Sequence, residues 1–536
     1  MIHLAPGLVP SLEAGPVLVH HVGPSGTVMF HPGLPVGWAL LAAAGIALMV
    51  VLMLGARAFA ERPIRTVNLT TLPGAGTLMR FLTHSPWPLL VLKLLLAGIF
   101  LIVIAAGLFG TPDPKRNLAT VLTWNLWWVL VIISVFFLGS AWCSLCPWNS
   151  LADWLVKQRL WRRPAANIGL NLRPPRPLRR LWPALLLLVG LTWLELAWGA
   201  TTSPVLTAVL ALVMVMLVVS CLVLFERKAF CRYYCPVGRT IGFYSQLAPV
   251  ELRPVDADVC AQCTTLECYH GTEVVEPCPT HLTMGRFAQN TYCTSCGNCV
   301  IGCPYQNVAW RLRSLASEAR VGARPRWDEA WFMVALWAIT TFHGLSMRPY
   351  WADWVGALGR ALGESGHLVG SFTLGMIAAM GLLIVLYLLF VAVTRRLLSS
   401  TVPFARWFSV LAFTTLPVAF SYHVAHNLSH FARETGRLGQ VLADPLGLAA
   451  AASKPAALPA GQMSLLIPEQ LLFALQAGMI LIGFWLALQV LRHRAQGLLG
   501  AGTDSMNWRL LPMVLFVVAA AGVNLFLLTQ VMVMRL

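Results

Sequence analysis

Ten apolar stretches recur along this chain, near residues 36–56, 87–109, 118–141, 183–200, 204–225, 330–346, 369–394, 407–430, 469–491 and 511–533. A helix needs roughly 20 apolar residues to cross a bilayer, and 330–346 is the shortest of the ten. Hydrocarbon offers no water to backbone N–H and C=O groups, so only helices and closed barrels span it. These stretches are too long and too evenly apolar for barrel strands. The predicted fold is an all-α polytopic membrane protein of about ten transmembrane helices. Composition agrees: 58% of residues are hydrophobic, mean hydropathy is +0.71, and only 11% are charged, against roughly 25% in a soluble domain.

The net charge of +17 would suit nucleic acid in a soluble protein. Here the basic residues flank apolar stretches, and no stacking-aromatic or basic-groove pattern accompanies them, so lipid is the expected partner and nucleic acid is not. Arg57, Arg62, Arg65 and Arg80 follow the first stretch; Lys157, Arg159, Arg162, Arg163, Arg173, Arg176, Arg179 and Arg180 follow the third. Arg227, Lys228 and Arg232 follow the fifth, Arg395 and Arg396 the seventh, Arg492 and Arg494 the ninth. With simple alternation all lie on one side, which the positive-inside rule makes the cytoplasm of a bacterial inner membrane. Both termini are then outside. Met1–Pro35 has no basic segment before an apolar core, so the first stretch reads as an uncleaved anchor.

Four regions follow: an outer segment (1–35), helices one to five (36–225), a cytoplasmic block (226–328) and helices six to ten (329–536). Of the outer loops, 347–368 is expected to lie as an interfacial helix, and the Ala- and Pro-rich 431–468 as a flexible linker.

The block holds eight cysteines between Cys260 and Cys303 and is predicted to be a small ferredoxin-like α+β insertion. Cys293, Cys296, Cys299 and Cys303-Pro304 reproduce the C-x₂-C-x₂-C-x₃-C-P run that holds iron–sulfur cubanes. Cys260, Cys263, Cys268 and Cys278-Pro279 form a stretched second copy, with two residues added before the third cysteine and six before the fourth. In two-cluster ferredoxins the fourth cysteine of each run serves the other cluster. One [4Fe-4S] cluster is therefore expected on Cys260, Cys263, Cys268 and Cys303, the other on Cys293, Cys296, Cys299 and Cys278. Cys143, Cys146-Pro147 close the third stretch, and Cys231, Cys235-Pro236 follow the fifth. Those four thiols could ligate a third cluster or another metal, or form two redox dithiols. Cys221 stands alone in an apolar run and reads as packing.

This arrangement resembles the NapH/NosR-type membrane ferredoxins and their CcoG-type relatives, in which a polytopic membrane domain with two C-x₃-C-P motifs accompanies a cytoplasmic ferredoxin domain. Cys231…Cys235-Pro236 matches that motif, Cys143…Cys146-Pro147 is one residue short, and the likeness covers roughly 87–310. The resemblance implies electron transfer between a quinol pool or cytoplasmic donor and a redox protein or reductase at the outer face.

The eighth stretch ends with His423, His426 and His430, which share one helical stripe. At about 1.5 Å per residue His423 is expected roughly 24 Å across, in the outer leaflet, and His343 and Glu195 also fall in the outer half. Intramembrane ionisable groups are functional candidates. His343 with His423 or His426 could hold a haem b, the stripe with His430 could bind copper, or these residues with Glu195 could take protons from a quinol. His20, His21 and His31 read as a solvated tail rather than metal ligands. A core of about 30 Å is too thick for one electron hop, so an intermediate carrier is expected: haem, quinone or the Cys143/Cys231 site. The expected function is iron–sulfur electron transfer, linking the clusters or the quinone pool to an outer-face system. The alternative is a copper reductase or maturation factor for an outer metalloenzyme. No catalytic triad or nucleotide motif is visible.

Overall fold

The computed structural model describes residues 21–23, 26–28, 30–55, 66–158, 169–449, 466–499 and 506–533. His20, Arg57, Arg62, Arg65, Arg159, Arg162, Arg163 and the centre of the 431–468 linker lie outside the described residues. Helices occupy all ten apolar stretches: α1 Val36–Gly55, α2 Pro86–Phe109, α3 Leu118–Leu138, α4 Trp182–Ala197, α5 Pro204–Leu224, α6 Trp327–Ser346, α7 Val369–Leu397, α8 Phe404–Glu434, α9 Glu469–Leu499 and α10 Leu511–Thr529.

Eight of the ten are long and apolar enough to cross a membrane unaided. The exceptions have local causes. α4 has 16 residues and ends where Gly199 takes a positive φ of 65°. Ser203 then caps α5, accepting from the Leu206 N–H at 3.2 Å, with Pro204 at the first helical position, where its missing N–H costs nothing. α6 carries Asp328 and Glu329 in its first turn and bends by 90° into the helix Pro349–Leu362. Counted as one broken span, those two bring the helices that qualify by length and composition among the described residues to nine.

The two acids at the start of α6 act as staples. Asp328 accepts from the Leu181 N–H (3.1 Å) at the start of α4, and Glu329 accepts from the Tyr292 hydroxyl at 2.7 Å and the Gln289 amide at 3.2 Å. The membrane helices are thereby tied to the cysteine block.

α8 is the centre of the bundle. Its most apolar stretch is wholly buried, and it is the least apolar of the eight. A helix surrounded by protein can carry polar side chains that lipid would expel, and α8 carries Ser421, Tyr422, His423, His426, Asn427, Ser429 and His430. It packs on α9, α6, α10 and α3. The helix breaks into a 3₁₀ turn at Ala412–Thr414, just before Pro417. Proline has no N–H to give the carbonyl four residues back and its ring crowds that turn.

Strands are short. Phe30–His31 (β3, after the hairpin β1 His21–Gly23 and β2 Gly26–Val28) pairs antiparallel with Met532–Val533 (β7). In the block, Thr66–Asn68 (β4), Val250–Pro254 (β5) and Val308–Arg313 (β6) form an antiparallel sheet in the order β4–β6–β5. Its edge strand β4 therefore comes from the α1–α2 connection, outside 226–328. A buried charge network holds the sheet: Glu251 accepts from Arg311 (2.7 Å) and Arg313 (3.0 Å), while Glu318 pairs with Arg253 and Arg313. Arg494, at the basic end of α9, is itself buried. It lies 4.0 Å over Phe413 and donates to the carbonyls of Ala319 (2.7 Å) and Ala323 (2.8 Å).

Removing one member of a buried ion network strands its partners, at a cost of about 3–5 kcal/mol. Glu318→Ala, which leaves Glu251 as the one carboxylate facing Arg253, Arg311 and Arg313, should lower the unfolding temperature in detergent well below that of Arg320→Ala. Equal melting of the two variants would rule out a structural role for the network.

Candidate functional site

Twelve cysteines gather into three groups of four, and none of the thirteen thiols is in a disulfide. The first group lies where α3 and α5 meet the block. α3 stops at Gly139, whose φ of 58° turns the chain through the short helix Trp142–Leu145. Cys146 then starts the helix Pro147–Lys157. After α5, Cys231 sits in a π-helical turn, Phe230–Tyr234, and Cys235 starts the helix Pro236–Tyr244. In both motifs the proline opens a helix whose positive N-terminal end faces a cysteine, an environment that favours thiolate. Cys235 Sγ accepts from the Gly238 N–H at 3.2 Å. A Cβ on Gly238 would lie 3.3 Å from Cys235 Sγ and 3.9 Å from Cys143 Sγ, so the helix backbone rests beside two thiols from different motifs.

Burial pushes the Cys146 thiol up to about 12 and raises Cys143, Cys231 and Cys235 as well, with neighbouring cysteines adding to the rise at Cys143, Cys146 and Cys235. Lys228 and Arg239 oppose it at Cys231. Lys228 is held by Asp153 at 2.7 Å, and Arg239 donates to the carbonyls of Thr291 (2.6 Å) and Cys231 (2.8 Å).

The second group is Cys278, Cys293, Cys296 and Cys299, and burial raises Cys293 to about 12. Backbone N–H groups of Leu282 and Ser295 each point at a sulfur, Cys278 and Cys293, at 3.3 Å. The third group is Cys260, Cys263, Cys268 and Cys303, which line one small cavity with Met284, Gly285 and Asn307. Asn307 donates its backbone N–H to Cys303 Sγ and its side-chain amide to Cys260 Sγ, both at 3.4 Å. The structure thus brings together the two sets that crossed runs require, and a third set of four from the span-end motifs. The groups are in series: Cys268 lies within electrostatic reach of Cys299, and Cys293 of Cys143.

Beyond the first group an apolar cavity of about 480 Å³ opens between α2, α3, α4 and α5. Trp142, Cys146, Pro147 and Trp148 line one part of it, and Thr192, Glu195 and Thr207 line another. Val121–Trp127 in α3 is a π-helical turn that adds Trp124 and Trp127 to the wall; such bulges often mark functional sites.

The intramembrane histidines form no single set. His423 bonds to Tyr244 (Nδ1 to hydroxyl, 3.2 Å) and lies against Trp128. Tyr244 ends the helix begun at Cys235, so His423 touches an element that continues directly from the cysteine motif. Pro236–Tyr244 is buried at every position but Val237; the chain after Cys235 dips into the bundle. His343 bonds to Glu195 at 3.1 Å, and its ring meets that of His426 edge to face, centroids 5.4 Å apart. His426 in turn meets His430 at 5.2 Å. His31, expected in a solvated tail, is 1% exposed. It is fixed by β3–β7 pairing and bonds to Glu434 at 3.1 Å. Glu434 escaped sequence reasoning, although His430 four residues earlier places both on one helical face.

A model of the 4Fe-4S binding domain matches residues 120–164 and 207–248, the two segments that carry Cys143, Cys146, Cys231 and Cys235. The chain is also similar to the "Putative electron transport protein YccM" of Escherichia coli (strain K12), 32% identical over 124 residues, which is 23% of this chain and 31% of that protein. This chain therefore matches less than a third of that relative's length. No solved structure matches. These likenesses support membrane-bound 4Fe-4S electron transfer. The donor sets fit such groups: each brings four thiols together, the ligand type that holds iron–sulfur clusters, and N–H donors already face several of the sulfurs.

Hydrogen bonds to sulfur raise cluster potentials by stabilising the more negative reduced state. Asn307→Leu removes the amide donor from Cys260. Anaerobic redox titration should show one centre shifted to more negative potential with iron content unchanged; an unshifted titration would deny Asn307 this role.

Proposed function

We propose that this protein passes electrons between a membrane quinol and three cysteine-held iron–sulfur centres in series, and that Cys143, Cys146, Cys231 and Cys235 hold the centre nearest the membrane. The observation that carries this reading is the alignment of three four-thiol groups with an apolar cavity. Its wall runs from Cys146 to Glu195. When bound, iron–sulfur clusters supply outer-sphere electron transfer at potentials set by their surroundings.

The chain's residues divide the remaining work. The apolar walls suit an isoprenoid substrate, and Trp124, Trp127 and Trp142 offer flat faces to a quinone ring. Quinol oxidation releases electrons and protons together. Clusters held by the three groups would give electrons a path from the Cys146 side of the cavity to Cys293 and on to Cys299 and Cys268. Of the two protons, Glu195 accepts one and His343, hydrogen-bonded to it at 3.1 Å, the other. The edge-to-face contact of His343 and His426 favours this role over axial ligation of a haem, which sets two imidazoles on opposite faces of a macrocycle. Lys157, Lys228, Arg232 and Arg494 all lie on the cysteine side, which supports that side as cytoplasmic.

Anaerobically purified protein should contain about twelve irons with matching acid-labile sulfide, three cubanes' worth. Cys235→Ser should remove about four of them and leave the rest. About eight irons in the parent, unchanged in Cys235→Ser, would overturn the third centre.

Adding a short-chain quinol should bleach the broad visible absorbance. Glu195→Gln should slow that bleaching by about 100-fold, the scale of a lost general base, while dithionite still bleaches the variant fully. Quinol reduction at the parent's rate would exclude Glu195 as a proton acceptor.

A further inference from the structure

Away from the thiols, one more group of ligand-type side chains converges among the described residues. We propose that His31, His430 and Glu434 form a binding site for a divalent first-row transition cation of the zinc or copper(II) class. Each residue is buried, and one donor atom from each lies within 4.8 Å of the other two. His31 Nε2 is 3.1 Å from Glu434 Oε1, and His430 Nδ1 is 2.7 Å from the same oxygen. Metal–ligand bonds of about 2.0–2.2 Å at tetrahedral or octahedral angles put donor atoms about 2.9–3.5 Å apart. The cluster is already near that spacing.

The residues are placed by independent parts of the fold. His430 and Glu434 are one turn apart on α8. His31 arrives from the other end of the chain and is pinned from several directions. β3 pairs with β7, the Leu34 N–H donates to the Leu528 carbonyl at 2.8 Å, and Gly33 passes so close to Thr529 that a Cβ there would overlap its carbonyl. The neighbouring cation, Arg433, is turned to Glu469 at 2.8 Å, which partly offsets its repulsion of positive charge at His31. One carboxylate then offsets half of a divalent charge in a buried place.

Donor chemistry sets the class of ion. Imidazole and carboxylate suit zinc, copper(II) and iron(II), whereas copper(I) prefers sulfur, and calcium and magnesium prefer oxygen alone. Three protein ligands leave a coordination position open. His430 and Glu434 line a small cavity with Asn125, His343 and Asn427, so that position faces polar groups rather than lipid.

The test uses the full-length protein, purified without oxygen so that its iron is retained, stripped with a mild chelator and incubated with zinc sulfate. After desalting, zinc and iron are counted separately, which keeps this site distinguishable from the iron–sulfur reading. The expected result is one tightly held zinc per chain. His31→Ala and Glu434→Gln should each weaken it by at least tenfold at unchanged iron content, with copper(II) displacing it. The zinc absorption edge should show nitrogen and oxygen neighbours near about 2.0–2.1 Å and no sulfur near about 2.3 Å; this reading stands even if a variant fails to fold. A parent that takes up neither zinc nor copper(II), a sulfur-ligated zinc, or binding indifferent to both substitutions in folded protein would overturn the proposal and leave a hydrogen-bonded His–Glu–His cluster.

Discussion

A thiol buried beside other thiols resists ionisation, and the thiols crowded into three groups set the terms for the rest of this structure. Desolvation and mutual repulsion raise Cys143, Cys146, Cys235, Cys293 and Cys299. The surroundings answer with positive charge and oriented dipoles. Lys228 and Arg239 stand beside Cys231. Two proline-opened helices direct their N-termini at cysteines, and N–H groups at 238, 282, 295 and 307 point at sulfur. This is the balance a metal-bound thiolate centre needs. A polyanionic cluster gains from nearby cations and donors, and its potential follows from how many there are.

The same electrostatic demand explains why the block is sewn to the membrane helices rather than hung from them. Its sheet borrows β4 from the α1–α2 connection, α9 reaches it through Arg494, and α6 through Asp328 and Glu329. Helix Pro236–Tyr244 packs so tightly under it that a Cβ on Gly242 would overlap the Thr291 carbonyl. Electron transfer between the groups depends on distance, and this stitching fixes the distance between Cys143, carried by the membrane part, and Cys293, carried by the block.

Much of this was legible in the sequence, for physical reasons. Apolar runs are imposed by lipid, so all ten helices were located. Cubane runs are imposed by converging ligands, so the sets Cys260/263/268/303 and Cys278/293/296/299 followed from spacing. What escaped was tertiary. Arg494 reads as one more lipid-facing basic residue, yet it caps block carbonyls and lies over Phe413. Counting residues along an uninterrupted helix could not show that the segment after Cys235 dips inward to bring Tyr244 to His423. His31 reads as tail because its burial depends on β7, at the other end of the chain. Lipid patterns and ligand spacings are local; these contacts join residues tens to hundreds of positions apart.

The proposed division of labour between cavity walls has a further physical consequence. An electron crosses between aromatic and sulfur groups with little nuclear movement, but a proton needs donors and acceptors within hydrogen-bond reach. The structure separates the two requirements. Sulfur lies at the Cys146 part of the wall, while the acid–imidazole pair Glu195–His343 lies at another. From that pair His426 and His430 continue in ring contact toward Glu434 and His31. Uncoupling the two routes in space lets each be tuned alone: sulfur potential by N–H donors, proton affinity by burial and pairing. It also places the His31–His430–Glu434 cluster at the far end of the imidazole line. A divalent charge there would repel a proton arriving along that line, so occupancy of the site would be read out by the quinol reaction through electrostatics, without contact to any thiol.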